Sequence, residues 1–481
     1  MVKVFLGAAP DRIISRVDEF KGSRAGLKRD LGTLESYAVL IGILVGAGIF
    51  RVTSEATAAT GPSVILAHLL LAPVVLATSV AYQVFLSTPL GLQPGGEVLH
   101  ISSAFGSERL TFLSGWLKLI SYMGACAYLA DALGVNLLEL AQPGAEHVGA
   151  LRLSVGLGAM LIFLGVHLVG VRWFGRLQVA MCALLALSLA VLLLPGLLTI
   201  DTDNFRPFFT GGRAGFGRAL PSLFFAYAGF EALSQAAGEV RDSRDRLPRI
   251  FLRGILATTA IFVAMSMVAF GALPSAALAA SEVPMSAAAA TYLPFGAGVV
   301  VTLGAVMAVA TSLNASMFVP ARLAWIMAHQ GLMPDVFGRL HSTRRTPVIG
   351  LVVSFCLAAL LLISGRMDLA LNIAVVALML LYGLHSVALI LLPRLNPELY
   401  GQVETGIPRW LQLLAAWASV LALTLLVGLS FGADLRRMRE SPLIERVLVL
   451  DLTSLELILA WVLMGLALLQ LKLRRRVRLG A

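Results

Sequence analysis

Charge is scarce in this 481-residue chain. Asp, Glu, Lys and Arg make up 13% of it, against about 25% in a soluble domain. That deficit excludes an ordinary water-soluble fold. Cysteine is nearly missing as well. Cys126, Cys182 and Cys356 each fall in an apolar run, and none has metal-ligand spacing. They read as small buried hydrophobes, so neither a metal nor a disulfide framework is expected. No P-loop, GxSxG, HExxH or dinucleotide fingerprint occurs. An ATP-driven pump or a membrane protease would need one of these, so an enzyme is not expected, nor is a cofactor. The formal net charge of +10 is spread over loops and both ends. Nucleic acid is therefore not an expected partner.

What the chain has instead is apolar length. Hydrophobic residues make up 58% of it, with a mean hydropathy of +0.87. Runs of the length needed to cross a bilayer recur from residue 34 to 472. The expected class is an all-α integral membrane protein embedded in the lipid bilayer. About twelve spans are predicted, at 34–59, 63–88, 110–139, 151–171, 174–198, 216–238, 249–273, 297–328, 347–364, 368–392, 409–431 and 453–472. Placing both termini in the cytoplasm puts most of the 37 Lys and Arg residues inside. The exception is the segment 432–452, with Arg436, Arg437, Arg439 and Arg446. No cleavable signal peptide is expected, because the first thirty residues are charged. Ile13, Ile14, Val17 and Phe20 there suit either a short surface helix or a partly ordered tail.

Two places interrupt the apolar runs. Gly46-Ala47-Gly48-Ile49-Phe50 closes the apolar part of the first span, and each glycine costs about 1 kcal/mol relative to Ala in a helix interior. About 180 residues later comes Ala226-Tyr227-Ala228-Gly229-Phe230-Glu231 in the sixth span. Glycine-interrupted spans in matching positions of two halves point to a transporter's binding site. Unwound backbone from Gly46 to Gly48 would present N–H groups suited to a carboxylate. Freed carbonyls at Phe225, Ala226 and Ala228 would suit an ammonium group. The competing reading is close helix packing, which the GxxxG spacing of Gly42 and Gly46 also supports.

A few polar residues sit inside spans. Glu231 is expensive there, and three roles are open to it: protonation, coupling to a proton, or holding the broken helices by accepting their N–H groups. Asp131 is either functional or solvated near the outer interface. Lys118 and Arg322 lie near inner interfaces and are expected to snorkel. Ser312, Asn314 and Ser316 either face a polar pathway or bond across helices. Tyr382 and His385 are weaker candidates of the same kind. Phe50, Phe225 and Tyr227 are either gates or packing.

Five motifs in order resemble the amino acid–polyamine–organocation permease superfamily. They are Val45-Gly46-Ala47-Gly48-Ile49-Phe50; Pro94-Gly95-Gly96 with Ala104-Phe105-Gly106 and Gly115-Trp116; Phe224 to Glu231; Glu239 with Leu247-Pro248-Arg249; and Arg322 with Gly331-Leu332-Met333-Pro334 and Thr346-Pro347. The resemblance implies a 5+5 inverted repeat with discontinuous helices 1 and 6. It divides the chain into a cytoplasmic segment 1–33, five-helix repeats 34–198 and 199–393, two peripheral helices 394–472 and a basic cytoplasmic tail 473–481. By position, Gly46, Ala47, Gly48 and Ile49 would meet a substrate carboxylate, and Phe225, Ala226, Ala228 and Gly229 its amino group. Leu44, Val45, Met123, Cys126, Ala127 and Tyr227 would be pocket residues. Leu185 stands where proton-coupled relatives carry a lysine, Gln330 where an aspartate is common, and Glu239-Val240 where paired glutamates are frequent. Arg51 after the first break is unusual.

The expected function is a secondary permease of the plasma membrane moving a small, neutral amino acid, with a coupling proton or cation left open. An exchanger, a polyamine or amine carrier, and a transporter-fold sensor or channel are the alternatives.

Overall fold

The computed structural model describes residues 27, 29–47, 50, 53–142, 149–281, 284–294, 297–441, 443, 446 and 452–478. The N-terminal segment expected as a surface helix or a tail, together with Gly48, Ile49 and Arg51, therefore lies outside the described residues. Regular structure among those residues is helical, apart from one isolated bridge between Leu31 and Val240. Nine described helices are long and apolar enough to cross a membrane, and two shorter ones are apolar as well.

In chain order the helices are α1 Thr33–Ala47, α2 Thr53–Thr60, α3 Val64–Leu86, α4 Gly96–Phe105, α5 Glu108–Ala141, α6 Gly149–Val169 and α7 Val171–Gly196. Then follow α8 Gly212–Phe224, α9 Ala232–Gln235, α10 Ser243–Ala272, α11 Ser275–Ala279, α12 Pro284–Ala289 and α13 Ala297–His329. The last are α14 Val348–Ile363, α15 Met367–Leu395, α16 Pro397–Gly401, α17 Arg409–Glu440 and α18 Ser454–Arg478. The first predicted span is thus two helices, α1 and α2. The sixth is α8, a short 3-10 turn at Phe225–Tyr227, and α9. Of the arginines expected in a loop after residue 431, Arg436, Arg437 and Arg439 lie on the last turns of α17, whereas Arg446 lies beyond it and pairs with Glu456; the final helix continues to Arg478.

The centre of the bundle is α5 and α13. Each has 78% of its apolar window buried, against 17% for α6 and 22% for α18. The outer helices keep their apolar side chains for lipid. Trp410, Trp417, Leu421 and Leu425 are exposed along α17, which fits a bilayer as the solvent. The same rule corrects the cysteines. Cys126 is buried, but Cys182 is only half-buried and Cys356 is exposed. Cys356 shares the outward stripe of α14 with Val352, Leu360 and Ile363, where an apolar thiol is as well placed as in the core.

Polar side chains inside the bundle bond across helices. Gln178 on α7 donates to the carbonyls of Ala38 and Thr311 at 3.3 and 3.1 Å, and Asn314 donates to its side-chain oxygen at 2.7 Å. Neutral amides therefore join α1, α7 and α13, and Leu185 of α7 is buried. Asp131 is buried and paired with Arg152 of α6. Trp116 of α5 and Trp461 of α18 stack at 4.3 Å, and each indole N–H donates to the other's carbonyl at 2.8 Å.

The ends of α1 and α9 meet on one face, called here the lower face. The Leu31 N–H donates to the Glu239 carbonyl at 3.0 Å, and the Arg241 N–H to the Leu31 carbonyl at 2.9 Å. On the opposite, upper face Gly211 and Gly215 press on the Ala59 carbonyl.

A methyl at Gly46 would meet Ser312 Oγ at 2.0 Å and the Ala308 backbone oxygen at 2.2 Å. Backbone cannot retreat as a side chain can. Gly46→Val is therefore expected to destabilise the protein by at least the roughly 1–3 kcal/mol typical of overpacking. Gly428→Ala, which meets nothing within 4 Å, is expected to leave stability intact. Thermal melting in detergent compares the two, and an unshifted Gly46→Val would refute the close approach of α1 to α13.

Candidate functional site

The sixth predicted span breaks where its sequence changes from helix formers to Ala-Tyr-Ala-Gly. After α8, the turn Phe225–Tyr227 closes, Ala228 becomes extended (φ −71°, ψ 148°) and Gly229 adopts φ +98°. Helix resumes at Ala232. The Phe225 carbonyl, expected to be free, accepts the Ala228 N–H at 3.0 Å. The Gly229 N–H instead donates to the Tyr382 hydroxyl at 3.4 Å. A break inside a membrane needs such partners, because no water is at hand to replace the lost helix bonds.

A cavity opens beside this break. Phe225, Ala228 and Gly229 form one wall. Ser121, Tyr122, Ser312 and Ser316 supply hydroxyls from α5 and α13. Ile43, Ala125, Leu129 and Leu378 supply the apolar remainder. None of these lining residues is Asp, Glu, Lys or Arg. Ser312 also donates to the Ile43 carbonyl at 2.8 Å, so the wall is tied to α1.

The other candidates are placed differently. Gly46 turns its open side to α13, and Ala47 ends α1. Leu44, Val45, Ala127 and Ala226 are buried but do not line this cavity. Met123 and Cys126 line a second one, with Met160, Met317 and Phe355, on another side of α5. Tyr227 packs against Phe262 with ring centroids 5.1 Å apart and donates to the His68 carbonyl at 3.3 Å. Phe225 faces Tyr128 edge-on at 5.8 Å.

Below the cavity lies a buried polar cluster. Glu231 does not accept backbone N–H groups, as one reading of it expected. It accepts the hydroxyls of Tyr122, at 2.6 Å, and of Tyr382. Lys118 does not snorkel. It is fully buried, ion-paired with Glu97, and 4.0 Å from Glu231. Arg322 is equally buried, 3.4 Å from Glu239, with Phe318 beneath its guanidinium. Partners at the same depth removed the need to reach water.

Glu97 reaches Lys118 because α4 folds back on α5. Gly106 (φ +60°) ends α4, and Ser107 caps α5 through the Leu110 N–H at 3.4 Å. Nine residues back and eleven forward of that corner the two side chains meet. Glycine is required where α4 starts: Gly96 has φ +49°, and a methyl there would stand 2.4 Å from Ser234 Oγ. The adjacent Gly95 carbonyl accepts from Gln235 of α9 at 2.9 Å. Tyr122 and Glu97 escaped the sequence reading. A lysine inside a predicted span was the signal to seek an acid for it.

A helix break, a cavity beside it and buried charge beneath it are set in a bundle of apolar helices long enough to cross a membrane. The chain belongs to the amino acid permease family, whose pattern it matches over residues 31–467. It is 24% identical to the branched-chain amino acid permease BcaP of Bacillus subtilis over 389 residues, 78% of this chain and 83% of that one. It is 25% identical to the methylthioribose transporter of the same organism, with 78% and 83% covered. It is 27% identical to the serine/threonine exchanger SteT over 244 residues, 50% of this chain and 54% of that one. All three are transporters or permeases by name, and none is an enzyme.

Tyr382→Phe strips the Gly229 N–H and one Glu231 oxygen of their shared partner. Buried groups left unpaired cost about 1–3 kcal/mol each, so this variant should melt well below wild type. Tyr122→Phe, which removes one bond only, should melt between the two. Equal melting of Tyr382→Phe and wild type would show that the hydroxyl does not hold the break.

Proposed function

We propose that the chain is a secondary transporter that moves a small, neutral amino acid across the plasma membrane by alternating access. The observation that carries this reading is the cavity at the helix break, lined by hydroxyl-bearing and apolar side chains and by backbone, with no carboxylate, ammonium or guanidinium among the described residues that line it. A charged substrate side chain would sit there unpaired, which is costly away from water. The zwitterionic ends of an amino acid are better served by helix termini and open backbone. In this reading Gly46, Ala47, Gly48 and Ile49 meet the carboxylate, and Phe225, Ala226, Ala228 and Gly229 the amino group. Ser121, Ser316, Ala125 and Leu129 bound the side chain and keep it small.

The reading includes twelve spans, arranged as inverted repeats 34–198 and 199–393 with two peripheral helices. The lower face and both termini lie in the cytoplasm, as the distribution of Lys and Arg supports. Amino acid relatives such as BcaP and SteT favour the substrate class, while the methylthioribose transporter keeps a thio-sugar on the list of compounds to try.

Counterflow in proteoliposomes tests this without assuming any coupling ion. Vesicles are preloaded with unlabelled amino acids, amines or methylthioribose, and labelled amino acid is followed inward. Accumulation driven by small neutral amino acids is expected. Accumulation only with amines or methylthioribose would overturn the substrate class, and none with any compound would overturn the transporter reading. Gly48→Leu should abolish substrate binding while leaving a folded protein, and normal binding by that variant would refute the backbone site for the carboxylate.

A further inference from the structure

We propose that Ser316 is a specificity-determining residue, whose hydroxyl selects a short substrate side chain carrying a hydroxyl over one of the same shape without it. The inference rests on the transporter reading above and narrows its substrate class.

Four hydroxyl-bearing residues border the cavity at the break, and three of them already have their protons committed. Tyr122 donates to Glu231 at 2.6 Å, Ser121 to the Ala374 carbonyl at 2.7 Å, and Ser312 to the Ile43 carbonyl at 2.8 Å. Each of these bonds ties one element of the bundle to another, so these donors serve the frame. Ser316 differs. It lines the same cavity and is only 3% exposed. Among the described residues its hydroxyl has no hydrogen-bond partner.

That isolation is unusual for a serine within a helix. Such a side chain commonly returns its proton to a carbonyl one turn back, as Ser354 does to Gly350 at 2.7 Å. Ser316 lies well inside α13 and makes no such bond. Buried polar groups are nearly always paired, so the partner of this one has to come from the cavity. A substrate entering there displaces water from the hydroxyl. It must return the bond or leave the group unpaired.

The surroundings narrow what that partner can be. Ala125, Leu129 and Leu378 are apolar, as are Ile43 and Phe225. A charged side chain would find no counter-charge on this wall. An amide brings several donor and acceptor groups to be met, whereas the wall offers one uncommitted donor. A hydroxyl both donates and accepts, as Ser316 does, and adds no charge. Position agrees. Ser316 follows Ser312 by one turn on the same face of α13, about 6 Å along the axis. Ser312 is the residue that a methyl on Gly46 would strike. The contact with the substrate side chain thus stands one turn away from the point where α13 meets the end of α1, which in this reading takes the carboxylate.

The test is competition against counterflow of labelled threonine in proteoliposomes. Threonine and valine match in shape, and so do serine and 2-aminobutyrate. In each pair the hydroxyl member should compete at a concentration about tenfold lower, as one unmade buried hydrogen bond implies. Ser316→Ala should bring both ratios close to one. Ser316→Thr, which keeps a hydroxyl, should retain the preference for serine over 2-aminobutyrate. A merely structural role would lower transport of all four compounds alike and leave the ratios unchanged. Valine competing as well as threonine in wild type would overturn this inference alone. So would a preference that survives in Ser316→Ala, or counterflow of other neutral amino acids with none of threonine. No counterflow of any compound in wild type would overturn the transport reading and this inference with it. If Ser316→Ala does not fold, Ser316→Cys replaces it. Its thiol is a weak donor, so the ratios should fall, and unchanged ratios would overturn the assignment.

Discussion

The hydroxyl of Tyr382 holds together what the bilayer would otherwise forbid. A helix that unwinds within an apolar core leaves amide groups that no solvent can satisfy. At Gly229 that hydroxyl takes the stranded N–H and passes its own proton toward Glu231. The carboxylate in turn draws Tyr122 from α5. Three separate elements thus converge on one acid, and the cavity wall exists only because they do. The core cannot be apolar throughout: the break is held by a buried acid, and that acid has Lys118 and then Glu97 beside it.

What could be read from the sequence followed from local chemistry. Gly229 and Glu231 advertise a break, because neither belongs in the middle of a continuous apolar helix. Pro94-Gly95-Gly96 advertises close backbone contact, and α9 supplies it. Rotation about a helix axis is harder to read. Residues 121, 125 and 129 of α5 line the cavity at the break, Met123 and Cys126 line the second, and Tyr122 borders both. Hydropathy cannot choose between faces of a helix that is buried all round. Depth misled in the same way. Lys118 and Arg322 lie near span ends, where long side chains ordinarily reach water. Their acids come from a neighbouring helix hairpin and from the loop after α9, and only the fold brings these close. Glycine showed the same ambiguity: Gly42 and Gly46 serve close packing at α7 and α13, beside whatever role the segment after them has in binding.

The relatives carry different cargoes by name, from branched-chain amino acids to methylthioribose. A frame that holds its ligand's ends with backbone leaves the side-chain wall free to vary. In the proposed reading that wall includes Ser121, Ser316, Ala125 and Leu129, while Glu231 and Lys118 lie one layer below. Under that reading cargo can change while the buried charges stay in place, since substitution at Ala125 or Leu129 need not disturb Glu231.

The paired tryptophans have a mechanical consequence. Trp116 and Trp461 clasp each other by their indole faces and by two reciprocal hydrogen bonds, so the innermost helix is riveted to one of the outermost. α18 is wetted by lipid along much of its length. Any tilt of α5 must therefore drag a lipid-bathed oar with it. The viscosity and thickness of the surrounding bilayer enter the rate at which the core can rearrange, and the membrane becomes a damper on the machine it contains.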